Sequence, residues 1–151
     1  MELKEKLAED LKQALRDKDE TQKTTLRLAL AAIKNAEIAK GGELDGKELM
    51  AVISQQARQR RESIAQFAEG GRQDLVTQEE EELRILLRYL PRQLSEEEIR
   101  VRVSEVIEQI RATGPAQIGE VMRVLMPELK GKADGQVVSS IARELLSETE
   151  Q

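Results

Sequence analysis

Near the C-terminus, two lysines flank a glycine in a segment whose residue types and spacing are those of an anion-binding loop. Lys130, Gly131 and Lys132 precede Asp134, where the sequence predicts the start of a helix. The free N–H groups and the dipole of a helix N-terminus favour an anion, and the two lysines add positive charge. The segment is not a P-loop, because Lys132 is followed by Ala133 rather than by Ser or Thr. It therefore predicts either a phosphate contact or a plain connection between helices in which Asp134 is the cap.

A second group of cations, Lys23, Arg27 and Lys34, has helical spacing. Separations of four and seven residues place all three within one narrow sector of a helix, beside an apolar stripe of leucine and isoleucine. A basic ridge of this kind could follow the phosphates of a nucleic acid. The alternative is a solvated helix flank whose cations pair with neighbouring acids.

Arg60 is the charged residue most at odds with its neighbours, because helical spacing directs it down the apolar stripe of its predicted helix. A buried guanidinium is costly unless it is paired and hydrogen-bonded. Glu37, Glu79 and Glu80 hold corresponding stripe positions, and they are the candidate partners in a buried or interdomain ion pair. The alternatives are a side chain that snorkels at the edge of the stripe and a ligand-binding site.

Catalytic chemistry is narrowly limited, because the chain contains no cysteine and no histidine. Thiolate nucleophiles, zinc sites with Cys or His ligands, and Ser-His-Asp or Cys-His arrangements are excluded. The consecutive glutamates 79–82 cannot converge on one cation, since successive helical residues face different directions, and they predict a solvated helix start. Catalysis by carboxylates, by lysine or by bound Mg²⁺ stays open, but the sequence points to no particular catalytic residue, metal site or cofactor in this chain.

The elements that must position these residues are helices. Of the 151 residues, 39% are hydrophobic and 35% charged, and Phe67 and Tyr89 are the only aromatics, a composition typical of aliphatic helical bundles. No segment alternates apolar and polar residues as a strand does. Ser95 and Glu98 have the spacing of a capping box. Glycine and proline residues interrupt the helical pattern at intervals, and their positions predict an all-α fold with seven helices. These helices lie near 2–17, 20–39, 46–69, 76–89, 96–112, 116–125 and 135–147.

The helical pattern breaks around Pro91, which predicts two domains. We expect an N-terminal helical domain of about four helices over 1–92 and a small three-helix domain over 93–151. A net charge of −5 argues against nonspecific adhesion to nucleic acid or to an anionic membrane, although it does not exclude a local basic face, and we expect no DNA partner. With no apolar export segment and no run that could span a bilayer, we expect a cytoplasmic protein without a membrane partner.

Several separated motifs together resemble a known family. They are RLALAAIKNAEI from Arg27, QQARQRRESIAQFAEGGRQDL from Gln55, YLPRQLSEEEI from Tyr89 and IGEVMRVLMPELKGKADGQVV from Ile118. In order and spacing, the chain resembles the free-standing YqeY-like proteins of the GatB/YqeY family over essentially its whole length. The resemblance implies a helical module like the C-terminal tail of the B subunit of glutamine-dependent aspartyl/glutamyl-tRNA amidotransferase.

In that tail the module is associated with grasping the body of the tRNA, away from the chemistry. The resemblance implies that Gly131, Lys132 and the start of the last helix form an RNA-facing loop. It also implies that Gly119, Met122 and Val138 are packing positions. The parts of the amidotransferase that perform the transamidation have no counterpart here, so the label of a carbon–nitrogen ligase with glutamine as amido donor would describe ancestry.

These observations favour a non-catalytic accessory module that binds tRNA or another structured RNA. With two aromatic residues in the chain, stacking on single-stranded bases is practically unavailable, and contacts would be to the backbone and its shape. The first alternative is a module that docks on a larger translation enzyme, such as an amidotransferase or synthetase subunit. The second is a participant in glutamine-dependent carbon–nitrogen ligase activity.

Overall fold

The computed structural model describes residues 2–149, and this part of the chain is helical throughout apart from short connections. It contains no strand, and its one isolated bridge pairs Lys130 with Ala133. The predicted all-α class is therefore confirmed. The seven α-helices are α1 (Leu3–Asp17), α2 (Glu20–Lys40), α3 (Gly46–Glu69), α4 (Gln73–Leu87), α5 (Glu96–Ile110), α6 (Ile118–Leu129) and α7 (Gly135–Thr149), with a 3₁₀ turn at Pro115–Gln117.

The chain divides into two compact units, Met1–Pro91 and Arg92–Gln151. The first unit contains α1 to α4, and the second contains α5 to α7. Each unit has its own buried aliphatic core, because an amphipathic helix must bury its apolar stripe against another element.

The core of the first unit joins all four of its helices. Leu7, Leu26, Ile33 and Ile53 are fully buried, as the stripes on α1, α2 and α3 require. On α4 the helical spacing of Val76, Leu83, Leu87 and Leu90 predicts the buried stripe, and Val76 is buried. Leu83 and Leu87 are only partly buried, however, and Ile85 and Leu86 are in the core instead. Tyr89 follows α4 and closes this core, where its hydroxyl donates a hydrogen bond of 2.5 Å to Asp10 Oδ2.

The core of the second unit is built from the apolar stripes of α5, α6 and α7. Val103, Val106, Val121, Leu125 and Val138 are fully buried. Met122 packs against this cluster and Val138 lies inside it, as the resemblance implied. Gly119 does not pack: it is exposed, and a Cβ added there would meet no atom within 4 Å.

Capping side chains set several helix ends. Ser95 and Glu98 form the predicted capping box at α5, and Asp45 and Glu48 form a second at α3. The sequence predicted that α6 would end before Pro127, but the helix continues to Leu129. Pro127 removes one backbone N–H donor inside α6, and the helix ends two residues later.

Candidate functional site

The loop between α6 and α7 has a fixed backbone. Gly131 is buried with φ = 81°, a left-handed conformation that favours glycine. Its carbonyl accepts a 2.7 Å hydrogen bond from Gln93 Nε2. Leu94 N–H donates to the carbonyl of Lys132 at 2.9 Å. The segment before α5 therefore holds this loop in place within the second unit.

Lys130 and Lys132 extend from this loop into solvent, and neither makes an ion pair or side-chain hydrogen bond within residues 2–149. The N-terminus of α7 is already capped, since the N–H of Gln136 donates to Asp134 Oδ1 at 3.0 Å. Because the protein's own carboxylate occupies that position, the anion-binding potential of the loop rests on the two lysines.

Carboxylates lie close to the loop. Arg102, which contacts Glu128 and Glu105, holds the pKa of Glu128 below its usual range, and Lys132 lowers it further. These groups border a groove of about 580 Å³ beside α5, whose floor includes Leu94 and Leu129. The loop thus places two cations without an ion pair at the edge of an acidic groove, and one of them, Lys132, acts electrostatically on Glu128.

The predicted basic ridge on α2 is only partly free. Lys23 Nζ lies 2.9 Å from Glu20 Oε2, so its charge is neutralised locally. Arg27 and Lys34 are exposed and have no ionic partner in the described part of the chain. The same outer face of α2 exposes Leu28 and Ile38. This face therefore mixes two unpaired cations with apolar surface.

Arg60 lies between α3 and α4, with its side chain 12% exposed. Its Nε is 3.5 Å from Glu79 Oε2 and 3.2 Å from Glu82 Oε2. Of the predicted partners, Glu79 is brought to Arg60, Glu37 pairs instead with Lys4, and Glu80 is exposed. Sequence reasoning missed Glu82, although its spacing of three from Glu79 places both on one helix face.

The expectation that glutamates 79–82 are all solvated is wrong for Glu82, whose side chain is 8% exposed. Burial raises the pKa of Glu82, Arg60 opposes this, and the nearby Glu79 carboxylate raises it further. Arg60 Nε and Glu79 Oε2 are buried without a hydrogen-bond partner. One guanidinium thus serves two carboxylates, and the hydrogen bonding of the cluster is incomplete.

Within residues 2–149 there is no group of three or more acidic, His or Cys side chains that could hold a metal ion. No helix of the described chain combines the length and apolarity needed to cross a membrane. The structure has three surfaces that could bind a partner. They are the exposed lysines on the fixed loop between α6 and α7, the face of α2 that combines cations with apolar side chains, and the acidic groove beside α5.

The described part of the chain is an all-α protein whose helices fall into two units. The model of the Yqey-like protein family matches residues 4–146, and the chain belongs to that family. The predicted family resemblance is therefore confirmed.

The chain is similar to curated fungal proteins named "Altered inheritance of mitochondria protein 41, mitochondrial". The relative from Lachancea thermotolerans is 40% identical over 113 residues, covering 73% of this chain and 60% of that protein. The relative from Saccharomyces cerevisiae strain YJM789 is 37% identical over 129 residues, covering 83% of this chain and 66% of that protein. The match thus spans roughly 60% of the length of these relatives.

These relatives correct one expectation. They are named as mitochondrial proteins, which contradicts the prediction of a cytoplasmic location. That prediction rested on the lack of an export segment and of a bilayer-spanning run, and neither property separates the cytoplasm from other aqueous compartments.

Proposed function

We propose that this chain is a non-catalytic module that binds tRNA or another structured RNA through its phosphate backbone. The observation that carries the proposal is the loop between α6 and α7, where Lys130 and Lys132 are exposed, unpaired and attached to a backbone fixed by Gln93 and Leu94. Because phosphate contacts need positive charge at a defined position more than a deep pocket, two fixed lysines suit this task.

Family membership supports the same proposal through the likeness to the amidotransferase tail. Arg27 and Lys34 on α2 are a second, weaker candidate contact, since the third cation of that ridge, Lys23, is paired with Glu20. The net charge of −5 means that any binding must come from such local groups rather than from the field of the whole protein.

The test is the binding of bulk tRNA to the full chain, followed by fluorescence anisotropy over a range of salt concentrations. Lys130→Glu with Lys132→Glu should weaken binding and reduce the slope of log affinity against log salt by about 0.7 to 0.9 for each phosphate that a lysine no longer neutralises. Lys47→Glu with Arg143→Glu makes the same change in charge at exposed positions elsewhere and is the matched control.

An affinity and salt slope unchanged by the Lys130 and Lys132 substitutions would show that the loop is not the contact. Absence of tRNA binding by the unaltered chain at low salt would overturn the RNA proposal itself. A specific protein that co-purifies after nuclease treatment would then favour docking on a larger translation enzyme. Glutamine-dependent amide transfer by the purified chain alone would contradict the non-catalytic assignment.

We also infer that the two units are separate domains, with the boundary at residues 92 and 93. The cores lie in different stretches of sequence, and the connection around Pro91 is non-helical. Limited trypsin digestion should cut first after Arg92 and leave a resistant fragment that begins at Gln93. Early cleavage inside α5, α6 or α7 would contradict this inference.

A further inference from the structure

The outer face of α6 carries two cations in line. Arg123 and Lys130 are exposed and seven residues apart, and the N–H of Lys130 donates to the carbonyl of Met126 at 2.9 Å, so the helical geometry continues to Lys130. At 100° and 1.5 Å per residue the two side chains leave the helix within about 20° of each other and about 10 Å apart. Pro127, exposed and uncharged, lies between them. Arg123 and Lys130 therefore form a row of positive charge, the α6 row.

The α6 row has a fixed position in the second unit. Val121, Leu125 and Leu129 are buried on the opposite side of α6, so packing sets the rotation of the helix. Directly after Lys130, the carbonyl of Gly131 is held by Gln93. The spacing between the two cations is therefore set by a packed helix rather than by a flexible loop.

The two cations of the row have no carboxylate partner. Neither Arg123 nor Lys130 makes an ion pair or a side-chain hydrogen bond within residues 2–149. Lys132 differs from them, because it lines the groove beside α5 and acts electrostatically on Glu128. Part of the charge of Lys132 is thus compensated within the protein, whereas the charge of the α6 row is available to a ligand.

The second unit has no aromatic side chain on which a base could stack. Residues 92–151 contain no Phe, Tyr, Trp or His. Proteins that hold single-stranded RNA combine cations with aromatic side chains under successive bases. Cations at a fixed spacing suit phosphates whose spacing is also fixed, as it is in the backbone of a double helix. The composition and the geometry of this unit thus favour base-paired RNA over a single strand.

We propose that the α6 row is the main phosphate contact of the second unit and that it binds the backbone of a base-paired RNA stem. This inference rests on the proposed function and names the part of the RNA that is bound. Arg123 and Lys130 would each neutralise a phosphate, and Lys132 would contribute less because Glu128 compensates it. Glu120, exposed and three residues before Arg123, would stand at the edge of the contact and oppose binding.

Binding of two RNAs of equal length to the full chain tests the choice of partner. One is a hairpin with a fully paired stem, and the other is oligouridine, which forms no stem. Fluorescence anisotropy at low salt should show at least about tenfold tighter binding of the hairpin, because the single strand gains no stacking on the protein. Equal or tighter binding of oligouridine would overturn the assignment of a base-paired stem.

Charge reversal tests the α6 row itself. Arg123→Glu should weaken hairpin binding by about tenfold at low salt and reduce the slope of log affinity against log salt by about 1. Lys132→Glu should have a smaller effect than Arg123→Glu. Arg84→Glu makes the same change at an exposed, unpaired position on α4 and should bind like the unaltered chain. Since Arg123 is exposed, retained helical circular dichroism shows that the variant still folds.

Glu120→Lys tests the same face by a gain of binding. It should add a third cation beside Arg123, so affinity for the hairpin should rise by about threefold or more and the salt slope should steepen by about 1. Glu81→Lys makes the same change at an exposed position on α4 and should leave both quantities unchanged. An affinity of Glu120→Lys no higher than that of Glu81→Lys would contradict the proposal.

Failure of this inference can be told apart from failure of the proposed function. If Lys130→Glu with Lys132→Glu weakens tRNA binding while Arg123→Glu behaves like Arg84→Glu, the chain binds RNA but the α6 row is not the contact. If the unaltered chain binds neither tRNA nor the hairpin at low salt, both proposals are overturned together.

Discussion

At the scale of single residues, the ion pairs of this chain differ in how far water reaches them. Arg58 and Glu62 are 48% and 56% exposed, whereas Arg60 and Glu82, a short distance away in the same unit, are nearly buried. Exposed pairs contribute little to stability, but removing one partner of a buried cluster leaves uncompensated charge away from water.

Arg60→Met should therefore lower the free energy of unfolding by about 3 kcal/mol at neutral pH, because Glu79 and Glu82 would face each other without a cation. Arg58→Met makes the same chemical change at an exposed pair and should cost under about 1 kcal/mol. Urea unfolding followed by circular dichroism measures both. Equal losses of stability in the two variants would show that the buried Arg60 cluster contributes no more to stability than an exposed ion pair does.

The same cluster makes stability depend on pH. Since the pKa of Glu82 is raised above the ordinary value of 4.5, the folded state binds its proton more readily than the unfolded state does. Ionisation of Glu82 therefore costs stability as pH rises through its folded pKa, and the full cost is present above that value. Below 4.5 the carboxyl is protonated in both states, and the cost disappears.

Glu82→Gln should consequently be more stable than the unaltered chain at neutral pH, and its advantage should shrink as the pH falls towards 4.5. Urea unfolding of both proteins at a series of pH values measures the difference. An advantage that is constant over this range would mean that the ionisation of Glu82 is not its source.

Arg60 also shows which part of the ion pair could not be predicted from the sequence. Its position on an apolar stripe predicted the need for an acidic partner, and Glu79 was among the partners named. Which of several acids on another helix meets it depends on how α4 is rotated against α3, and the sequence of α4 alone does not determine that rotation. The actual rotation buries Glu82 and Ile85 and leaves Leu83 partly exposed.

At the scale of elements, the helices follow closely from glycine, proline and capping residues. The Ser95 and Glu98 box begins α5, with Glu98 also held by both terminal nitrogens of Arg92. Helix ends were harder to predict where no local capping residue fixes them. For example, α4 begins at Gln73, ahead of the predicted 76, and its N-cap residue makes no side-chain hydrogen bond.

Ser95→Ala should lower the stability of the second unit by about 1 kcal/mol, because a backbone N–H of α5 loses its acceptor. Ser140→Ala, at an exposed position inside α7, should change stability by less than about 0.5 kcal/mol. Hydrogen exchange of α5 amides detects the difference, and equal protection in the two variants would argue against the cap.

The pH dependence of stability gives a second test of the capping interactions at the start of α5. The hydrogen bonds from Arg92 and the Ser95 backbone hold the pKa of Glu98 down to about 2. The stabilisation from ionised Glu98 is therefore complete above the ordinary carboxyl range and is lost as the pH falls towards 2.

At the scale of the whole molecule, the two units have separate cores, each within one continuous stretch of sequence. Both units have an excess of acidic residues. Residues 1–91 contain 16 Lys and Arg against 18 Asp and Glu, and residues 92–151 contain 8 Lys and Arg against 11 Asp and Glu. Composition and periodicity were sufficient to predict the helical class. The binding surfaces were not predictable in the same way, because which cations remain unpaired depends on neighbours such as Glu20 for Lys23.

Leu125→Ala tests how far the units share stability. Leu125 is fully buried in the core of the second unit, so its truncation should cost about 3 kcal/mol there. Hydrogen exchange measured by mass spectrometry should show faster exchange in α5 to α7 and unchanged protection in α1 to α4. Leu26→Ala, in the core of the first unit, should give the opposite pattern. Loss of protection throughout the chain in either variant would show that the units unfold as one.

Tyr89 has a consequence for optical spectroscopy. It is the only tyrosine, the chain has no tryptophan, and its ring packs in the first unit with Lys6 Nζ 5.8 Å from the ring centroid. Absorbance near 280 nm and intrinsic emission therefore come from one phenol that belongs to one unit. Burial and the Asp10 carboxylate raise the pKa of Tyr89, so the tyrosinate band should appear only above the usual pH of 10 while the first unit is folded. The protein thus contains a natural optical label on α1 to α4 and leaves α5 to α7 spectroscopically silent in that range.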